Sequence, residues 1–445
     1  MDYKTKKIEE LYQLFLSSTG VTTDSRLASE GKLFFALKGE NFDGNEYAEK
    51  AISQGAIAAV VEVSARAVER LDGEQYFKVE DTLQTLQELA NYHRRKLNIP
   101  VVALTGTNGK TTTKELIRAV LSKKYNVSAT VGNLNNHIGV PLTILGIDQN
   151  TEIAVVEMGA SGPCEIKLLT SIAEPSCGLI TNVGKAHLQG FGSFEGVVKA
   201  KGELYDYLSA ASRTAFVNSD NDILVEMINQ RKELKPIYYG PTRQGAELLE
   251  VSAENPFMSF YLPGAEDGIV LVTNLVGAYN LDNALAAIAV GIHFGVSLED
   301  ATLALSEYLP TNNRSELRKT ARNLLIVDAY NANPTSMAAA LDNFEKSNFE
   351  NKMVILGDMR ELGSDSSEEH LRILKTVQNM SLTKIILVGE EFSSFSSEFS
   401  DFLEIEFYLD VKSLINHLLS SPIEGFSILI KGSNGVKLQT LLDIL

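Results

Sequence analysis

Cysteine, long apolar runs and positive charge are all scarce in this 445-residue sequence. The two cysteines, Cys164 and Cys177, form no CxxC pattern. Two thiols build no disulfide framework, so both are expected as small buried residues in a reducing compartment. No apolar stretch approaches the roughly 18 residues that a membrane-spanning helix requires. The opening MDYKTKKIEELYQLFL is charged throughout and lacks the uninterrupted apolar core of a signal peptide. The chain is therefore expected to be soluble and cytoplasmic. Lys and Arg number 40 against 57 Asp and Glu, a formal net charge of −17. Such a surplus repels polyphosphate at long range and argues against a general nucleic-acid binder. It leaves room for a small anionic substrate held by a few local donors.

What is present is ordinary globular material. With 44% hydrophobic and 22% charged residues, the chain has enough apolar surface for real cores. At about 150 residues per domain, its length suggests about three domains. Near the N-terminus the pattern predicts a helix over 47–54 and a buried strand over 56–61. Residues 81–97 read as an amphipathic helix, with Leu83, Leu86, Leu89 and Ala90 on one face and Asp81 as its cap. Short β-rich apolar runs follow at 101–105, 153–158 and 178–183, each before a polar or glycine-containing loop. That alternation predicts a largely parallel sheet covered by helices. The scattered strand signals of 211–275 suggest an antiparallel part, and 282–294 reads as a buried helix. A second α/β run begins near 312, with strands at 324–327, 353–356, 385–388 and 428–430. Asp328, Asp358, Gly389 and Lys431 lie just beyond those strands, where open α/β sheets bind ligands.

The strongest local signal is TGTNGKT, Thr105 to Thr111, between the strand VVAL and a helix with Leu116, Ile117, Val120 and Leu121 on one face. Glycines let backbone N–H groups converge on phosphate oxygens, and the helix N-terminus adds partial positive charge. Lys110 can reach the β- and γ-phosphates, and the Thr111 hydroxyl can ligate Mg²⁺. The general phosphate loop has four residues between its glycines. Counted back from Gly109, that position is Leu104, so this loop departs from the general spacing. ATP binding is expected; the loop alone does not specify the reaction.

Further segments follow in order: GNLNNHIGVPLT from Gly132, EMGAS from Glu157, TNVGKAH ending at His187, KAKGEL containing Lys201, GAYNLDN ending at Asn283, DAYNANP from Asp328 and LGDMRELG from Leu356. Together with TGTNGKT they resemble the ATP-dependent Mur ligase and folylpolyglutamate synthetase superfamily, whose enzymes join an amino group to a carboxylate. About 100 residues precede the phosphate loop, carrying TDSR from Thr23, LFFALKG from Leu33 and Asp43-Gly44. That block looks like the UDP-sugar-binding domain of the later Mur ligases. Folylpolyglutamate synthetases lack it. DAYNANP replaces the DYAHTP-like segment of the ligase that adds the third residue, and DNPR is absent. The family member implied joins D-Ala-D-Ala to UDP-MurNAc-tripeptide using ATP. No nucleic-acid partner and no membrane insertion are implied, and a monomer is expected.

The resemblance implies three α/β domains: a UDP-substrate domain over 1–80, a central ATPase-like domain with a mostly parallel sheet over 81–311, and a Rossmann-like domain over 312–445. Gly106, Thr107, Asn108, Gly109, Lys110, Thr111 and Thr112 would cradle ATP, with Asn280 and Asn283 near adenine and Arg314 and Asp328 near phosphates and ribose. Tyr279 stands where the family usually has a histidine. Thr111 and Glu157 would hold a first Mg²⁺, and His187 and a carbamylated Lys201 a second. Imidazole is an unusual Mg²⁺ ligand, so residue chemistry alone would not select His187. Ser25 and Arg26 are expected on the UDP side, and Asn136, His137, Asn331 and Asn333 near substrate. His93, His293, His370 and His417 lie in helical stretches and are expected to serve packing or solvent.

Overall fold

Three parallel or mostly parallel sheets succeed one another along the chain, each built from buried runs of Val, Ile, Leu and Ala. The computed structural model describes residues 3–27, 31–250, 256–264, 268–311, 313–402 and 404–445. The first sheet is parallel, in the order Val21–Thr22, Leu33–Phe35, Ala58–Glu62, Tyr76–Val79. Side chains alternate across it, as strand geometry requires. Leu33, Phe35 and Val60 face Leu11, Phe15, Leu86 and Leu89. Phe34, Ala59 and Val61 face Ala48 and Ala51 on the other side.

Helix Thr82–Lys96 joins this unit to the next. Asp81 caps it, accepting from the Gln84 N–H at 2.8 Å. Its apolar face shares a core with the first sheet, while Arg94 donates to the Ala173 carbonyl at 2.8 Å. His93 serves packing, lying between the Tyr12 hydroxyl and the Ile147 carbonyl.

The central sheet has six parallel strands. Their order is Lys235–Tyr239, Thr214–Asn218, Cys177–Ile180, Val101–Thr105, Ile153–Glu157, Val127–Ala129. Val101–Thr105 is fully buried, with later strands on both sides. The chain order therefore reverses around it, which opens a crevice at its carboxyl end. Two of the strands expected within 211–275 extend this parallel sheet. The antiparallel part is a separate three-stranded sheet of Glu247–Leu248, Ser259–Leu262 and Ile269–Val272. Helix Asn280–His293 packs on the phosphate-loop helix, Lys110–Leu121, through Leu281, Ala284, Leu285 and Ile288.

The last sheet has six strands. Their order is Glu316–Lys319, Leu324–Asp328, Ser427–Lys431, Lys352–Gly357, Lys384–Val388, Ile405–Tyr408, and only the first is antiparallel. The two edge strands, ELRK and IEFY, are absent from the sequence reading. Exposed on part of their surface, they carry no continuous apolar run. Residue 312, where the third domain was expected to begin, lies outside the described residues.

Two further expectations are corrected. Cys177 is buried, and burial pushes its thiol up to about 12. Cys164, however, is exposed, because it falls in a left-handed turn just before helix Glu165–Ala173 rather than in an element. The strand expected over 178–183 stops at Ile180, because Thr181 and Asn182 turn away to bond the phosphate loop. No helix among the described residues is long and apolar enough to cross a membrane. Because Leu86 is fully buried where the first two units share a core, Leu86→Ala should destabilise the fold by roughly 2–5 kcal/mol. A lowered urea midpoint would register this loss.

Candidate active site

The phosphate loop is held by its neighbours rather than by itself. Gly106 has φ +150°, and a β-carbon there would stand 2.0 Å from the Thr181 hydroxyl. Gly109 has φ +76° and caps the phosphate-loop helix; a β-carbon there would stand 2.6 Å from Asn283 Oδ1. Between them, Asn108 is clasped on both backbone groups. Its N–H donates to Asn182 Oδ1 at 3.0 Å, and its carbonyl accepts from the Thr181 hydroxyl at 2.6 Å. Lys110 Nζ folds back onto the carbonyls of Gly106 and Thr107 at 2.7 and 3.0 Å. Burial lowers this ammonium to about 8, with Arg314 adding to the shift and Glu157 opposing it.

A pocket of about 640 Å³ opens above this loop. Its central wall carries Thr107 to Thr112, Asn136, Glu157, His187, Asn280 and Asn283. Its opposite wall comes from the last unit, through Arg314, Asp328, Asn331, Asn333 and Lys431. The two walls touch, since Asn333 Nδ2 donates to Asn108 Oδ1 at 2.7 Å. Asn333 also caps helix Pro334–Lys346 with its Oδ1, a reciprocal box with Ser336. Asp328 accepts from the buried Lys431 ammonium at 2.5 Å, and the Arg314 guanidinium stacks 3.8 Å from the Tyr330 ring centroid. Asn280 and Asn283 share one helix face, with Asn283 Nδ2 donating to Asn280 Oδ1 at 3.0 Å. Tyr279 lies on the pocket wall beside them, its hydroxyl 3.2 Å from Ser315 Oγ.

Glu157 is almost fully buried at the carboxyl end of its strand. Oε1 accepts from Asn135 Nδ2 at 2.8 Å, while Oε2 is buried without a hydrogen-bond partner. Such an orphaned charged oxygen is costly unless something positive meets it. Its backbone N–H donates to the Thr130 hydroxyl, whose own carbonyl accepts from the fully buried Lys114 ammonium. Lys201 lies behind the pocket wall, 2% exposed, with Nζ 3.5 Å from the Ala160 carbonyl and 5.6 Å from the Phe191 ring centroid. Burial, and secondarily the Lys110 charge, lowers it to about 7, while Glu165 and Glu203 pull the other way. His187 lines the pocket, with Nδ1 against a Glu361 carboxylate oxygen. Burial keeps its imidazole below the ordinary value, Lys110 and Lys201 add to this, and Glu361 opposes it. Among the described residues, no three His, Cys, Asp or Glu side chains converge on a metal position. The donors suit an ion held mainly by phosphate and water rather than a protein-built cage.

Three family models cover most of the chain: Mur ligase family, catalytic domain, over 17–94; Mur ligase middle domain over 104–291; and Mur ligase, glutamate ligase domain, over 313–434. The UDP-N-acetylmuramoyl-tripeptide–D-alanyl-D-alanine ligase of Bacillus subtilis is 36% identical over 95% of this chain and 92% of its own length. This chain belongs to the Mur ligase family. The Escherichia coli Mur ligase of the same name is 33% identical, across 98% of this chain and 95% of its own. A crystal structure of MurF from Acinetobacter baumannii matches with TM-score 0.83 and 30% identity, covering 98% of this chain and 97% of that one. MurF from Thermotoga maritima, in complex with ADP, matches with TM-score 0.82 and 26% identity, covering 97% of each chain.

Within this Mur ligase fold, most of the site residues expected from the sequence converge on one pocket. Five stand apart from its lining, the first being Gly106, which is turned against Thr181 at the base of the loop. His137 is exposed on the Asn-rich loop, and its neighbour Asn135, absent from the sequence reading, reaches Glu157 instead. Ser25 and Arg26 lie in the first unit, where Asp24 grips the Arg26 guanidinium and is itself lowered to about 2 by that contact. Lys201 borders the pocket from behind. Asn182, Lys114 and Tyr330 also escaped the sequence reading. Asn182 lay in a stretch read as strand, and the burial of Lys114 leaves no local trace in an amphipathic helix. Gly109→Ala would force a left-handed backbone and a clash, costing at least about 1–2 kcal/mol. It should weaken binding of a non-hydrolysable ATP analogue by about tenfold or more, measured by calorimetry.

Proposed function

We propose that this chain is the ATP-dependent ligase that joins the amine of D-Ala-D-Ala to the free carboxylate of UDP-MurNAc-tripeptide. The products are UDP-MurNAc-pentapeptide, ADP and phosphate, in peptidoglycan precursor synthesis. The observation that carries this reading is the pocket in which the phosphate loop, Glu157 and His187 face Arg314, Asp328 and Lys431 across two units. The names of the full-length relatives support it, as does the ADP complex of the Thermotoga maritima protein.

A carboxylate is a poor acyl donor at neutral pH, so the reaction runs in two steps. A carboxylate oxygen attacks the γ-phosphorus and ADP leaves. The dipeptide amine then attacks the acyl carbon, the C–O bond to phosphate breaks, and the amine gives up a proton. The protein positions the reactants and neutralises charge. The loop N–H groups and Lys110 hold the phosphates, and swinging Lys110 off its two backbone carbonyls brings its charge to the nucleotide. Thr111 and Glu157 are suited to hold one Mg²⁺, since Glu157 Oε2 is buried and otherwise unpaired; His187 and a carbamylated Lys201 would hold a second. When bound, these ions would supply positive charge to the phosphate oxygens. In this reading, residues 1–80 hold the uridine part, 81–311 hold ATP, and 312–445 close over the site to exclude water.

Carbamylation requires a neutral amine. Nζ attacks CO₂, an N–C bond forms, a proton leaves, and an anionic carbamate results. Because burial lowers Lys201 to about 7, its neutral fraction grows as pH rises through that value. Stimulation of activity by added bicarbonate should therefore increase from pH 6 to pH 8 when CO₂ is limiting. Lys201→Ala should lose essentially all turnover and regain part of it in high formate or acetate; near-normal turnover would remove Lys201 from the mechanism. The ligase reading itself is tested by ADP release. Both lysine- and diaminopimelate-containing UDP-tripeptides should be crossed with D-Ala-D-Ala and with L-Ala. Release should require a tripeptide together with D-Ala-D-Ala. Equal release with L-Ala, or release independent of acceptor, would overturn the assignment.

A further inference from the structure

The contact between His187 and Glu361 crosses the cleft, since the two residues belong to different units. Both sit in left-handed backbone, at φ 51° and φ 64°. Non-glycine residues adopt that conformation at a cost, and it persists where surrounding structure enforces it.

Around Glu361 the enforcement is visible. The fully buried His370 donates from Nδ1 to the Ser366 carbonyl at 2.7 Å and accepts at Nε2 from the Met359 N–H at 3.0 Å. Asp358 accepts from the N–H groups of Glu391 and Phe392 at 3.0 and 3.1 Å. The Arg360 N–H donates to Ser433 Oγ at 3.0 Å. Met359 and Leu362 are buried on either side. The loop is thus pinned on both flanks, while the Glu361 side chain is left mostly exposed and meets His187.

On the facing unit, His187 precedes the short helix Leu188–Phe191, and its carbonyl accepts from the N–H groups of Gly190 and Phe191. The Phe191 ring lies edge-on to the imidazole at 6.4 Å and also flanks Lys201 Nζ. Two other contacts join the same surfaces. Lys185 Nζ is 3.6 Å from Glu369, and Gly363 abuts Gln189.

We propose that Glu361 is a positioning residue, supplied by the C-terminal unit on closure, that accepts the Nδ1 proton of His187 and leaves Nε2 as the nitrogen available to the phosphate pocket. A carboxylate behind an imidazole fixes both its tautomer and its ring plane. Closure and completion of the site then become one event, because the carboxylate is on the opposite unit. This rests on the role given to His187 above.

The test combines kinetics with a spectroscopic readout. Glu361→Ala should lower kcat by about 10- to 100-fold, with KM for the UDP-tripeptide changed by less than about twofold. Glu361→Gln, whose amide oxygen can still accept the Nδ1 proton, should stay within about threefold of the parent. In a His187→Ala background, Glu361→Ala should cause no further loss. Independently of turnover, ¹⁵N spectra of histidine-labelled protein with an ATP analogue and UDP-tripeptide should hold His187 in the Nδ1–H tautomer. Glu361→Ala should release it to a mixture. Parent-like kinetics in Glu361→Ala, equal damage from Gln and Ala, full additivity with His187→Ala, or an unchanged tautomer would each overturn the proposal. Near-normal turnover in His187→Ala alone would instead remove the role given to His187 above.

Discussion

At Gly106 the chain comes so close to the Thr181 hydroxyl that a β-carbon would overlap it. The rest of the molecule depends on that approach. The first strand of the central sheet ends there, its neighbour ends beside it, and Asn108 is clamped between them on both backbone groups. With the loop fixed from outside, its N–H groups can converge on a ligand without also having to hold the turn. The buried face of the phosphate-loop helix, packed on helix Asn280–His293, sets the direction in which that helix points. Asn283 reaches from the second of these helices to the Thr113 hydroxyl at 2.9 Å, tying helix packing to loop geometry.

The net charge of −17 opposes, at long range, the approach of the proposed substrates, which are all anionic. The structure resolves the conflict by scale. Over distances beyond a Debye length the surface charge is screened, so a small ligand inside the pocket meets only its lining. There, Lys110, Arg314, Lys431 and a helix N-terminus gather within one cavity. Burial adds a second effect. Desolvation weakens the hold of Lys110 and Lys201 on their protons, and the charge of Arg314 adds to this at Lys110 as that of Lys110 does at Lys201. The same lining also carries Glu157, Glu165, Asp282 and Asp328, of which Asp328 is paired with Lys431 and Glu157 keeps one oxygen unpaired for a cation.

Much of the layout was legible in the sequence because it follows from local rules. Leu116, Ile117, Val120 and Leu121 fall on the face that is buried, Asp81 caps the helix it was expected to cap, and the central strands lie where the continuous apolar runs are. The misses share a cause. ELRK and IEFY pair at sheet edges, where one side stays wet and no apolar run is needed. Thr181 and Asn182 continue an apolar strand in pattern but leave it in space, because their side chains are needed by a loop more than 70 residues earlier. Cys164 was expected buried by its residue type, and only the turn that carries it puts the thiol outside.

By itself the sequence determined the repeating strand–loop–helix order, the glycine loop between a buried strand and an amphipathic helix, and the motifs that mark the family. Each is a property of neighbouring residues and their periodicity. The tertiary structure alone decided which Asn of the Asn135–Asn136 pair reaches Glu157, that Lys114 is buried, and that Asn333 and Glu361 meet Asn108 and His187 from another unit. Those pairings join residues far apart in the chain. Hydrogen bonding and desolvation act through space, so they can be read only once the sheets are folded and the units brought face to face.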